Sequence, residues 1–194
     1  MASLEFISYQ PRHINISNGS VTWVKSKRKT IQRLPQIVWE NNSTWAESNL
    51  WAVEYATSSK HDLKTVRSSM SHLLAYAKWL EAEGINWWHF PERESERCLN
   101  RFRGALVDAR NRGELAPSTT SQRMSTVIRF YKWLQARKLI STEWPMWQQR
   151  FVGIKLTNSF GLEHTMRVSS TDLAIPNRKV AGAIQLEDGL LPVS

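Results

Sequence analysis

Apolar and polar positions change rhythm three times along the chain. From Leu4 to Trp39 the β-branched and aromatic residues come in short runs: Phe6-Ile7, Ile14-Asn15-Ile16 and Val21-Thr22-Trp23-Val24. Asn18-Gly19 lies between two of these runs, the usual signal for a tight hairpin turn. This predicts a β-hairpin or extended arm ending at Pro35. From Thr44 to about Ile140 the period becomes helical. Thr44 and Glu47 have the spacing of a capping box, which opens a helix over about 45–57. Asp62 caps a second helix that runs to about Glu83 and stops at Gly84. Its stripe is Val66, Met70, Leu73, Ala77 and Leu80, at alternating spacings of four and three.

A third helix is expected from Pro91, where Glu92, Glu94 and Glu96 suit the positive end of a helix. Leu99, Phe102, Leu106 and Ala109 form its stripe, and Gly113 ends it. Pro117-Ser118 opens a fourth helix, with Met124, Val127, Ile128, Tyr131 and Leu134 inward and an end near Leu139. After Pro145 the helical period fades. Phe151–Leu156 and His164–Val168 read as short strands, and Asp172–Ser194 reads as a linker. The fold class expected is mainly α: a four-helix bundle, residues 43–147, with a short N-terminal β-hairpin arm, residues 1–42, and an irregular C-terminal linker, residues 148–194.

Charge narrows the function. The 194 residues carry 26 Lys+Arg against 17 Asp+Glu, a formal charge of +9. So basic a chain is expected to meet an anionic partner, nucleic acid first. Lys25, Lys27, Arg28, Lys29 and Arg33 form an arm of five cations with no acid between them. No apolar run approaches the roughly 18 residues of a membrane span, and Met1–Gln10 lacks a secretory pattern. No membrane partner is expected, and the expected location is the cytoplasm, as in a bacterial nucleoid. The single cysteine, Cys98, leaves no internal disulfide framework and no multi-cysteine zinc site. It reads as a small buried hydrophobe on the third helix.

Enzyme chemistry is sparse. There is no phosphate-cradling Gly-Lys-Ser/Thr loop and no dinucleotide glycine cluster. The histidines, at 13, 61, 72, 89 and 164, are scattered. No catalytic residue, cofactor or metal is expected of this chain. His164 and Arg167 have the spacing of a His-x-x-Arg box, but no tyrosine follows them.

The fourth helix carries more information. Between Pro117 and Thr142 lie Arg123, Arg129, Lys132, Arg137 and Lys138, and no acid. Ser118, Thr119, Thr120 and Ser121 crowd its start, where free amides and hydroxyls suit phosphate oxygens. Gln122, Thr126 and Arg129 are expected opposite the core stripe and are side chains that can reach base edges. The second helix begins in the same style with Lys60, Lys64, Thr65, Arg67 and Ser68.

The run from Ser118 to Leu134, with Phe130-Tyr131-Lys132-Trp133-Leu134 at its end, resembles the last helix of the core-binding domain of tyrosine recombinases, the phage integrase family. Leu139-Ile140 followed by Pro145 is similar to that helix's exit. Thr65 to Leu80, ending Tyr76-Ala77-Lys78-Trp79-Leu80, resembles the second helix of the same domain. The resemblance covers about Thr44 to Trp147. It implies a SAM-like four-helix bundle that grips one face of duplex DNA, with the starts of helices two and four at the major groove. It also implies oligomers on DNA in a full-length protein, for which Trp45, Leu50 and Trp51 are candidate contacts, although a core position is the simpler expectation for them. One departure is Ile128, where the family often has a basic residue. The other is the missing catalytic half, since Tyr131 is the last tyrosine. Leu191–Ser194 reads as the approach to a helix, with Ser194 as its cap. The chain is therefore expected to be the DNA-binding N-terminal part of a site-specific recombinase that cuts nothing alone. Two rivals are a helical protein-interaction module and a small enzyme using His164 and Arg167.

Overall fold

The computed structural model describes residues 1–58, 61–157 and 163–177, the side chains of 152–168 excepted. Its elements run β1 (Ser3–Tyr9), β2 (Arg12–Ser17), β3 (Ser20–Lys25), β4 (Ile31–Val38), α1 (Ala46–Thr57), α2 (Leu63–Glu83), α3 (Cys98–Asn111), α4 (Pro117–Ala136), β5 (Gln149–Thr157) and β6 (Glu163–Thr171). The chain is 44% helical and 22% strand, in three small antiparallel sheets. It is a mixed α/β protein, which overturns the mainly α bundle. The expected N-terminal hairpin and the two expected C-terminal strands are present, and β1 pairing with β4 adds a further sheet.

The chain divides into two units, Met1–Ile85 with Arg129–Ile140, and Asn86–Ile128 with Ser141–Ser194. In the first, β1 and β4 pair antiparallel from Ser3↔Val38 to Tyr9↔Ile31. The hairpin β2–β3 is inserted between them in sequence, with its own register from Arg12↔Lys25 to Ser17↔Ser20. Asn18 and Gly19 turn it with φ of 49° and 73°, the left-handed pair that a two-residue turn requires. The strand expected to stop at Pro35 continues to Val38. A two-stranded sheet leaves each strand an open edge, where a residue without an N–H is tolerated.

Strand β4 packs on α1 and α2, and β1 on α2. Asn49 of α1 binds both backbone groups of Ile37, accepting from its N–H at 2.7 Å and donating to its C=O at 3.1 Å. A side-chain amide thus supplies the neighbour strand that β4 lacks at Ile37. Around it lie Leu34, Ile37, Trp45, Trp51, Met70, Leu73, Tyr76, Phe130 and Tyr131, all buried. Burying each large apolar side chain is worth about 1.5–3 kcal/mol. Trp45 and Trp51 are therefore core, and their candidacy as subunit contacts falls. Leu50 remains exposed.

Helix α2 starts and stops where expected. Asp62 accepts from the Thr65 N–H at 2.7 Å, and Gly84 ends the helix with φ 64°. Helix α1 starts differently. Its cap is Trp45 with no side-chain cap bond, and Thr44 instead bridges Val38. Pairing with the sheet displaces the capping box.

In the second unit Pro91 does not open a helix. A single 3-10 turn spans Glu94–Glu96, and α3 begins only at Cys98. The cause is Arg97. Its guanidinium is buried and donates to three carbonyls, those of Pro91 at 2.9 Å, Glu92 at 2.8 Å and Pro145 at 2.8 Å. The segment 91–97 wraps its own arginine and makes only that one turn. Cys98 is buried, as expected, and its thiol approaches the Trp87 carbonyl at 3.4 Å. Strands β5 and β6 form the third sheet. Asp172 and Gln148 close its base with reciprocal bonds of 2.9 and 3.1 Å. The linker and Ser194 cap expected beyond residue 177 lie outside the described residues.

Candidate nucleic-acid interface

Helix α4 forms because its buried positions recur at 120, 124, 127, 131 and 134 and its exposed ones at 118, 122, 125, 129 and 132. The first part, to Ile128, belongs to the second unit. There Ser118 and Gln122 are exposed, and Thr119 and Arg123 are half-buried. Arg112 grips Glu114, the acid nearest this start in sequence, with Nε at 2.6 Å and Nη2 at 3.0 Å. The bond from Arg112 holds the Glu114 carboxyl below its ordinary range. The carboxylate stays charged and is paired with Arg112, and α4 itself carries no acid.

Two expected contacts on α4 are corrected. Thr120 is buried, and its hydroxyl donates back to the Ala116 carbonyl at 3.1 Å. Thr126 is also buried. It lies one turn before Phe130, which is itself core, so the apolar face of α4 is wider than the single stripe. Neither threonine reaches a ligand surface. Arg129 and Lys132, on the part of α4 in the first unit, are exposed.

At the start of α2, Lys64, Thr65 and Ser68 are exposed. Lys60 lies outside the described residues. Thr65 is committed to its cap: its hydroxyl and N–H, in that order, lower the Asp62 carboxyl below its ordinary 3.8. Arg67 is committed elsewhere. Its Nε donates to the Arg33 carbonyl and its Nη2 to the Gln32 carbonyl, both at 3.2 Å. The β1–β4 register slips between Ile7 and Tyr9, and Arg33 adopts φ 56°. A bulge leaves carbonyls outside the ladder, and Arg67 satisfies two of them.

The basic arm divides the same way. Arg33 sits over the Phe6 ring at 5.0 Å, and Arg28 donates to the Thr57 carbonyl at 3.2 Å. Lys25, Lys27 and Lys29 are exposed. Periodicity missed the companions of this arm: Arg12 opposite Lys25, and above them Ile14 opposite Trp23. The Asn18–Gly19 turn sets that register and was the signal available.

Tyr131 is buried, and its hydroxyl meets that of Tyr76 at 2.9 Å. A surface depression in the first unit is lined by Glu54, Tyr55, Thr57, Ser58, His61 and Arg137. Its carboxylate is engaged by Arg137 at 2.7 Å and by the Trp133 indole at 2.9 Å. Among the described residues no group of three His, Cys, Asp or Glu could hold a metal. No described helix is long and apolar enough to cross a membrane. The side chains of His164 and Arg167 lie outside the described residues.

No family model matches the sequence, and no curated protein or solved structure matches it either.

Proposed function

We propose that this chain binds duplex DNA, in the manner of the core-binding part of an integrase-type tyrosine recombinase. The observation that carries the reading is the start of α4. It presents Ser118, Thr119, Gln122 and Arg123 at least partly to solvent, on a helix without an acid, and Glu114, the acid nearest it in sequence, is paired with Arg112. Helix-start amides and hydroxyls take phosphate oxygens, and Arg and Gln side chains can take base edges. Lys64 and Ser68 offer a second basic helix start, within the first unit. The resemblance of 118–134 to the recombinase helix supplies the biological setting.

The test is fluorescence anisotropy with a random duplex at two salt concentrations, for wild type and Arg123→Glu. Neutralised phosphates release counterions, so wild-type affinity falls steeply with salt. Arg123→Glu weakens binding and reduces the salt slope by about 1 or more. No binding at low salt overturns the reading and favours a protein-interaction module.

A further inference from the structure

The hairpin β2–β3 is amphipathic and has no core to cover. All six residues of each strand are exposed. Its register places Ile14 opposite Trp23 and Ile16 opposite Val21 on one face. These four are 52%, 62%, 71% and 60% exposed, in that order. Arg12 and Lys25 form the next rung of the same face, at the base. The opposite face carries His13, Asn15, Ser17, Ser20 and Thr22, with Val24. An apolar ladder left exposed to water points to a binding surface.

The base of the hairpin is tied down. Ser26 N–H donates to the Pro11 carbonyl at 2.8 Å. Gln10 bonds the Ser26 and Arg28 carbonyls, each at 3.3 Å, and accepts from the Thr30 hydroxyl. Six residues per strand at about 3.3 Å each make a finger of about 20 Å.

We infer that this finger is a wedge, which enters the minor groove of duplex DNA and unstacks a base step with its Ile16–Val21 end. Charge selects the occupant. Residues 6–39 hold six cations, Arg12, Lys25, Lys27, Arg28, Lys29 and Arg33, and no acid. Such a segment attracts a polyanion and repels a second copy of itself. A bilayer interior is disfavoured, because a two-stranded ribbon has unpaired edges that hydrocarbon cannot satisfy. Apolar side chains inserted between base steps bend duplexes towards the major groove. Arg12 and Lys25 then stand where the flanking phosphates pass. The inference rests on the DNA reading above but uses a different surface.

The experiment is energy transfer across an end-labelled duplex with central TA steps, which unstack readily, with 2-aminopurine placed beside one of them. The key variant is Ile16→Thr with Val21→Thr, both β-branched, so strand preference is kept. A second is Trp23→Tyr with Ile14→Thr. Wild type is expected to bend the duplex by tens of degrees and to raise 2-aminopurine fluorescence. The first variant is expected to bind within about threefold of wild type and to lose both signals, since phosphate contacts supply most of the affinity. Unchanged bending in both variants, or a straight duplex with wild type, overturns the wedge while leaving the α4 reading intact. Binding unaffected by Arg123→Glu but bending lost in the threonine variant overturns the α4 reading and leaves the wedge. Loss of self-association, or of binding to anionic vesicles, with DNA bending unchanged also overturns it.

Discussion

Tyr76 and Tyr131 meet hydroxyl to hydroxyl at 2.9 Å in the buried interior of the first unit. Their rings lie 6.2 Å apart, edge to face at 67°. A tyrosine on α2 and one on α4 are thereby joined at a fixed height along both helices. Tyr131 faces inward as its place in the helix stripe predicts, and Phe130 is buried with it.

Removing either hydroxyl should therefore cost stability and leave DNA binding alone. Tyr76→Phe and Tyr131→Phe are each expected to cost about 0.5–1.5 kcal/mol. The double variant is expected to cost less than the sum, with a coupling of at least about 0.5 kcal/mol. Urea unfolding of the three variants measures it. Strict additivity would show that the two hydroxyls do not interact.

Arg97 makes a sharper case in the second unit. Its three carbonyl partners lie in two separate segments, and Glu94 adds an ion pair at 3.5 Å. Arg97→Met strips donors from all three carbonyls and is expected to cost about 2–4 kcal/mol. Arg97→Lys is expected to recover less than half, because an ammonium cannot reproduce the planar fork. Thermal unfolding checks both, and equal stability of the methionine variant would refute the assignment.

Lys64 and Arg67 lie one helical turn apart with different assignments. Lys64→Glu is expected to weaken duplex binding and lower the salt slope by about 1 or more, with little change in unfolding. Arg67→Ala is expected to cost about 1 kcal/mol of stability through the Gln32 and Arg33 carbonyls. Its salt slope should stay at the wild-type value. The two variants, measured by anisotropy and by urea titration, separate a ligand contact from a bulge support.

The Asp62 cap has a pH signature. Its carboxyl is lowered below 3.8 by the Thr65 hydroxyl and N–H, so the folded state binds the proton less well than the unfolded chain. The cap's contribution is complete above the unfolded value and is lost as pH falls through the lowered folded one. Asp62→Ala is expected to lower Tm at pH 7 and to differ less from wild type below about pH 4. Asp62→Asn, also a good cap, should keep most of the Tm without that acid-side change. Melting curves between pH 7 and pH 3 test it.

Signals confined to one turn of chain could be read without coordinates. The Asn18–Gly19 turn, the Asp62 cap, the Gly84 stop and the inward stripes of α2 and α4 each depend on neighbours within four residues. The acid-free start of α4 was equally plain. Pairings across long stretches of chain were not. Whether Leu4 meets Ile37, or the run near Gln149 meets that near Thr171, depends on closing a loop and on what else competes for the same edge. That competition displaced the Thr44 capping box, turned Arg67 from an expected DNA contact into a support for two carbonyls, and buried Thr126. Side-chain type specifies what a residue can bond. Which partner it reaches is set when the strands and helices close around it; at Arg97 the reason is that part-buried carbonyls left unpaired cost more than an exposed cation gains.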